Sequence, residues 1–373
     1  MSDEKKLNIN FKSLISSHFS LTIISVLLSF IVGALFLLVL GYNPLSVYSA
    51  LINGIFSRPR YLAYSVVYAT PLIFVGLSVA FSFKTGVFNI GAEGQFVVGA
   101  MAACIVGIFV KAPGFVVVPL CFIAACIAGC IWGIIVGILK TKWGINEVLS
   151  MIMFNWIAFY LSNYIVTIPS VHSTGTAEAT KNVGDNARIL FSENIRRALC
   201  PTSNYGIIIG IILVIIVYVI INKTTLGFEL KAVGSNRFAS QYAGINVNKA
   251  VLLAIGISGA LAGMGGAVHV LGMGGRISLF STQEGYGFDG IIVALMGLCE
   301  PIGVFFASLF YGALKYSGSK LNLVNTPSET VKFITGTIVF FIAISHYFKY
   351  LINKGTNKVS KKKSKVLKSK EAV

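Results

Sequence analysis

The sequence predicts an all-α polytopic membrane protein with about ten transmembrane helices. Three observations carry that expectation. Of the 373 residues, 55% are hydrophobic and 12% charged, where a soluble domain carries about twice that charged fraction. Mean hydropathy is +0.82. Apolar runs of ~20 residues, the length of helix that crosses ~30 Å of hydrocarbon, recur from end to end, too often for a single anchor.

Residues 1–18, opening MSDEKKLNINFK, are polar, and no small-residue cleavage site follows a short apolar core, so the first run is read as a retained span. Spans are expected at 19–40, 61–82, 87–110, 115–139, 147–168, 204–222, 250–272, 287–299, 301–317 and 329–350. The eighth, GFDGIIVALMGLC, is short for a full crossing and reads as a half-helix or a strongly broken one. The chain thus divides into an N-terminus (1–18), a membrane domain (19–350) and a basic tail (351–373), with a long loop at 169–203 and another at 223–249.

Lysine and arginine in short loops set the orientation. With the N-terminus in the cytoplasm, Lys84, the Lys140 and Lys142 loop, the Lys223 to Lys249 loop and the tail are cytoplasmic as well. Arg58, Arg60, Lys181, Arg188, Arg196 and Arg197 then lie outside, in part offset by Glu178, Asp185 and Glu193. Net charge is +17, of which the eight lysines and one glutamate between Lys354 and Glu371 carry seven. No aromatic residues interleave with those lysines, so the tail reads as a solvated segment near anionic lipid and not as a nucleic-acid site.

Five of the six cysteines (Cys104, Cys121, Cys126, Cys130 and Cys299) lie in apolar segments and Cys200 in a polar loop, with no metal spacing or disulfide framework. Cys126 and Cys130 share a helical face, where small packing residues explain them better than a redox pair. Gly129, Gly133 and Gly137, and likewise Gly259, Gly263 and Ala267, form smooth stripes on which another helix can approach closely. Two segments, WGIIVGILKTKWG (Trp132 to Gly144) and ASLFYGALKYSG (Ala307 to Gly318), share G-x-L-K and are five spans apart, which gives them opposite orientations, as in the inverted repeats of transporters.

GYGFDG (Gly285 to Gly290) satisfies G-x-G-x-x-G, but no strand precedes it. No phosphate-binding P-loop, H-E-x-x-H pair or nucleophile elbow occurs, so the chain is not expected to be an enzyme, binds no cofactor of its own, and any energy comes from elsewhere.

The stretch GVFNIGAEGQFVVGA places Asn89, Glu93 and Gln95 among glycines inside an apolar region. A carboxylate in hydrocarbon costs at least ~2.5–3.5 kcal/mol and must meet a partner, a cavity or water. Glycine-loosened backbone is tolerated at membrane depth only where it lines a cavity or is covered by protein. Asn89, Glu93, Gln95 and, at the corresponding place of the proposed repeat, Asp289 are therefore candidate pathway residues, with Glu93 and Asp289 facing each other across it; the competing reading is that both carboxylates satisfy helix ends. Glu147 and Glu300 sit at span ends, where the helix dipole favours them. His269, with no carboxylate at helical spacing, reads as a satisfied buried histidine. In the 223–249 loop, Ser235 or Asn236 can cap a short helix through about Tyr242 that Gly244 ends. Phe238 and Tyr242 then share one face, suited to a groove on a soluble partner or to lying on the membrane.

At GVFNIGAEGQ, WGINEVLSMIMFNWIA, TTLGFELKAVGSNRFASQYAGI, SGALAGMGGAVHVLG and GYGFDGIIVALMG the chain resembles the permease subunits of bacterial ABC importers, in the branch of ribose, branched-chain amino-acid and nucleoside systems, and most of all the nucleoside permeases. The resemblance covers roughly Tyr61 to Phe341. It implies a type II importer in the bacterial cytoplasmic (inner) membrane: two permease subunits with ten-helix cores, here a heterodimer, two cytoplasmic ATP-binding subunits that use ATP and Mg, and an extracytoplasmic substrate-binding lipoprotein. Gly234, Asn236, Ala239 and Gly244 match the family's coupling segment, which with Ser235, Phe238 and Tyr242 would dock on the ATPase. LCEPIG departs from the basic or histidine-containing version before P-x-G, which leaves Glu300 without an assigned role. Nucleosides or related polar solutes are the implied cargo. Simple sugars such as ribose, an ion-coupled carrier using Glu93 and Asp289, and a membrane scaffold are the alternatives.

Overall fold

The structure is a computed structural model that describes residues 18–175, 178–327, 330–342 and 344. The expected cytoplasmic N-terminus before His18 and the basic tail lie outside the described residues. In chain order the helices are α1 (His18–Val39), α2 (Pro44–Phe56), α3 (Pro59–Phe83), α4 (Ala92–Phe109), α5 (Gly114–Trp143), α6 (Glu147–Thr167), α7 (Glu193–Ala198), α8 (Gly206–Lys223), α9 (Thr225–Ser235), α10 (Arg237–Tyr242), α11 (Val247–His269), α12 (Tyr286–Met296), α13 (Pro301–Gly318) and α14 (Thr330–Ile342). Six of them (α3, α4, α5, α6, α8 and α11) are long and apolar enough to cross a membrane, and α2, α12, α14 and most of α1 are shorter apolar helices. Among the described residues the β pairing consists of isolated bridges.

The chain divides into two units, residues 1–46 with 329–373, and residues 47–328. Within the first, Ser25 Oγ donates to the Phe341 carbonyl at 3.2 Å, and the Phe36 and Phe333 rings stack with centroids 3.6 Å apart.

The second unit holds the bundle core. Its helix ends follow local chemistry. Asn146 caps α6 by accepting from the Val148 and Leu149 amides, Asn246 caps α11 through the Lys249 amide, and Pro59 and Pro301 open α3 and α13 where a missing N–H costs nothing. Gly144, at φ +66, ends α5 in the left-handed conformation that glycine adopts without strain. Two elements differ from the sequence expectation. The apolar segment at 44–56 forms a separate helix, with Val47, Leu51 and Gly54 buried. The third span starts only at Ala92, because residues 87–91 approach it as non-helical chain. The seventh expected span, α11, ends in a single π turn, Val270–Gly274.

Contacts along the helices fix their directions. Gly129 meets Gly259, Gly133 meets Ile255 and Gly137 meets Leu252, so α5 and α11 run antiparallel with the two small-residue stripes face to face. A methyl group on Gly259 would fall on the Gly129 carbonyl, which is why neither position has room for a side chain. Likewise Gly312 meets Ala69, Gly76 meets Val304, and Lys84 pairs with Glu300, so α3 and α13 are antiparallel. Against this ruler α4 and α12 both begin inside the bundle. Gly287, in the first turn of α12, packs on Glu93 in the first turn of α4. From there α4 runs to Gly107, which meets Val183 of the 169–203 segment, whereas α12 runs to the opposite end, where Gly297 meets Gly303. At these two starts the Gly94 amide is met by Asn155 and the Gly285 and Gly287 amides by Glu93, so backbone groups without an intrahelical partner are satisfied by protein.

Candidate functional site

Glycine and asparagine loosen the chain between α3 and α4, and a buried polar cluster holds it. Gly86 turns the backbone at φ +68. Asn89 Nδ2 donates to Gln95 Oε1 at 2.8 Å and to Ser258 Oγ at 2.6 Å, and Ser258 Oγ donates to the Ser78 carbonyl at 2.7 Å. Asn155, on α6, spans the break: its Oδ1 accepts from the Gly94 amide at 2.8 Å and its Nδ2 donates to the Ile90 carbonyl at 3.0 Å. Asn155 was absent from the sequence expectations, and its only signal was an amide side chain inside an apolar span.

Glu93 is 1% exposed. Its Oε1 accepts from the Gly285 amide at 2.7 Å and its Oε2 from the Gly287 amide at 2.6 Å. The carboxylate therefore caps α12 from another helix, taking up amides that have no intrahelical partner and meeting the positive end of the helix dipole. Gly287 is required here, since a Cβ would overlap the Glu93 backbone. Asn89 and Gln95 are bonded to each other and Glu93 turns instead to the start of α12; all three are sealed, and Glu93 does not look at Asp289 across open space.

Asp289 turns the other way, onto α13. Tyr311 Oη donates to its Oδ1 and Lys315 Nζ to its Oδ2, each at 2.6 Å. These side chains keep partial exposure, 18% for Asp289 and 25% for Lys315. The Lys315 ammonium also lies 3.5 Å from the centroid of the Tyr286 ring, a cation–π contact. Tyr286 stacks on Phe96 at 5.3 Å and lies 4.8 Å from the His269 ring. His269 Nδ1 is 3.6 Å from Glu284 Oε2, so the carboxylate that helical spacing does not supply arrives from the non-helical chain before α12.

At the end of the bundle that carries Lys84, the 223–249 loop folds into two short helices. Asn236 caps α10 by accepting from the Ala239 amide at 3.0 Å, Ser235 closes α9, and Gly244, at φ +88, follows the helix end. Phe238 is 86% and Tyr242 97% exposed. The base of this pair of helices is firmly seated. Gly234 packs directly on the Lys84 carbonyl and the Gly86 amide, and Arg237 Nη2 reaches the Gly86 carbonyl at 3.5 Å. Lys84 in turn pairs with Glu300 at 2.5 Å, and Lys140 pairs with Glu147. Both carboxylates thus have cationic partners that the sequence reading did not assign.

Residues 61–343 match the profile of a family described as branched-chain amino acid transport system / permease component. The guanosine ABC transporter permease protein NupP of Bacillus subtilis is 40% identical over 91% of this chain and 97% of its own length. The nucleoside ABC transporter permease protein NupB of Lactococcus lactis is 35% identical over 89% of this chain and 92% of its own. The glucose ABC transporter permease protein TsgB13 of Haloferax volcanii is 32% identical over 88% and 87%. The same two bacteria contribute a second, separately named permease each, NupQ at 28% and NupC at 26% identity. With the profile spanning most of the chain and these identities running nearly end to end, the protein belongs to the branched-chain amino acid transport system / permease component family.

Proposed function

We propose that this chain is the membrane-spanning permease subunit of an ATP-driven importer of nucleosides. The observation that carries the reading is end-to-end similarity to two permeases named for guanosine and nucleoside transport. ATP and Mg are used by a separate ATPase subunit, an extracytoplasmic lipoprotein delivers the solute, and the second permease is a different chain, as the paired NupP and NupQ suggest. Ten spans cross the cytoplasmic membrane, and the Lys84 end faces the cytoplasm. The segments α3–α5 and α11–α13 form inverted halves, each with a long helix, an interior start and a returning helix.

In the proposed cycle the ATPase docks on the segment carrying Gly234, Ser235, Asn236, Phe238, Ala239, Tyr242 and Gly244, with Phe238 and Tyr242 in its groove. Closure of the ATPases moves α10. Gly234 and Arg237 pass that displacement to Gly86, where the break before α4 begins. Glu93 keeps α4 and α12 moving as one piece, Asn89 with Gln95 ties the break to Ser258 of α11, and Asp289 with Lys315 borders the passage. Rigid movement of helix groups about such a site exposes it to each side in turn.

The test is uptake by proteoliposomes holding the chain with its ATPase, second permease and lipoprotein. The reading expects ATP-dependent accumulation of radiolabelled guanosine that excess ribose or glucose does not compete away. The glucose permease relative supports a sugar reading, and competition by sugar alone would establish it. Uptake by the isolated chain under an ion gradient without ATP would overturn both.

A further inference from the structure

Three tyrosines on α3, Tyr61, Tyr64 and Tyr68, follow one another at helical spacing and converge on a single ring, Tyr316 of α13. Their centroids lie 6.0, 5.1 and 5.7 Å from it, and the Tyr64 ring is within 15° of parallel. Tyr316 is buried and backs the other three, which stay partly exposed. Lys320 Nζ sits 2.7 Å from the Tyr61 centroid and 4.8 Å from that of Tyr316, with no hydrogen-bond partner. One residue before Tyr316, Lys315 leads to Asp289 and Tyr286, so the aromatic stripe runs into the partly exposed ion pair.

The surroundings say which way this face looks. Where α5 is exposed it shows Ile123, Ile127, Ile131 and Ile135, a stripe suited to acyl chains. The phenols of α3 and α13, the Lys315 and Lys320 ammonium groups and the Asp289 carboxylate are not suited to lipid and face water or protein. An interfacial aromatic belt accounts for Tyr61, beside Arg58 and Arg60, but Tyr64 and Tyr68 lie about 5 and about 10 Å deeper along α3. Stacked rings of this kind hold flat, apolar-faced, polar-edged solutes, and a nucleobase has such faces.

We propose that Tyr61, Tyr64, Tyr68 and Tyr316 form a base-stacking wall along the passage, on which the heteroaromatic base of a nucleoside slides from the Tyr61 end to the Lys315 and Asp289 pair. The assignment rests on the nucleoside-importer reading and names the surface that selects the cargo. Because one ring replaces another along the stripe, no step holds the base tightly, which suits passage better than storage.

The experiment is photolabelling of the detergent-solubilised, fully assembled importer with 8-azidoguanosine, whose reactive group is on the base, together with guanosine uptake kinetics. The expected adducts map to peptides holding Tyr61, Tyr64, Tyr68 or Tyr316. Tyr64→Leu removes the ring and raises the half-saturation concentration between about fivefold and about 150-fold, the range of one lost base stack. Tyr64→Phe restores most of the loss, and Tyr160→Leu, at an exposed aromatic on α6, has no effect. Adducts elsewhere with unaltered Tyr64→Leu kinetics would overturn the wall. So would loss of the second permease from purified Tyr64→Leu complexes, since the stripe would then be a subunit interface. A wild-type importer that takes up no guanosine would instead overturn the nucleoside reading on which the wall rests.

Discussion

Replacing Glu93 by glutamine separates two roles for a buried carboxylate. In the structure both oxygens accept backbone N–H groups from the start of α12, at 2.7 and 2.6 Å. A hydrogen bond to a charged group contributes about 1.5–3 kcal/mol net, and a neutral one about 1 kcal/mol. Glutamine keeps one bond in neutral form and turns its NH₂ toward the other amide, donor against donor. The expected loss is therefore about 2–5 kcal/mol before any weakening of the dipole contact. At roughly 2 °C per kcal/mol, the lower end of the scale for 150–250 residues, the apparent melting midpoint of the purified importer falls by about 4–10 °C. The assay is a thermal scan of the detergent-solubilised complex beside guanosine uptake at a temperature well below the transition. A midpoint within about 1 °C of wild type, with uptake abolished, would refute the capping argument and return Glu93 to direct contact with the transported solute.

Asn155→Ala removes the acceptor of the buried Gly94 amide and the donor to the partly buried Ile90 carbonyl; the midpoint in the same scan is expected to fall, for a cost of up to about 2–6 kcal/mol. Asn155→Asp keeps the Gly94 acceptor and is expected to cost less. Gly259→Ala puts a methyl on the Gly129 carbonyl, and the forced separation of α5 and α11 is expected to cost about 1–3 kcal/mol, seen as a lower midpoint, whereas Gly144→Ala, with open space around it, costs only its backbone strain.

Local signals in the sequence carried much of the fold. Asn236 with Gly244 delimited α10, and the alignment of Phe238 with Tyr242 placed two aromatic residues on one open face, because caps and helical spacing act over a few residues. The facing of Gly129 and Gly259 was readable as two stripes, though not that the stripes meet each other. What escaped depends on partners far away in the chain. Glu93 is bonded to amides 192 and 194 residues on, His269 meets Glu284 from a segment without helical periodicity, and Tyr64 of α3 finds Tyr316 of α13. The start of α4 was misjudged for a related reason: Val87 to Gly91 are apolar enough to continue a span, but the Asn89 cluster and Asn155 hold them out of helical geometry. α2 escaped because thirteen residues fall below the length that marks a crossing.

The central claim is that α10 is where an external motor pushes, and that its push reaches the break before α4 through Gly234 and Gly86. The direct measurement is guanosine imported per ATP hydrolysed by the reconstituted importer carrying Phe238→Ala and Tyr242→Ala together. With both side chains almost wholly exposed, the variant is expected to fold and melt as wild type while the ratio falls at least about tenfold, the effect of about 1.4 kcal/mol of lost coupling. An unchanged ratio in a complex that retains its ATPase would contradict the account.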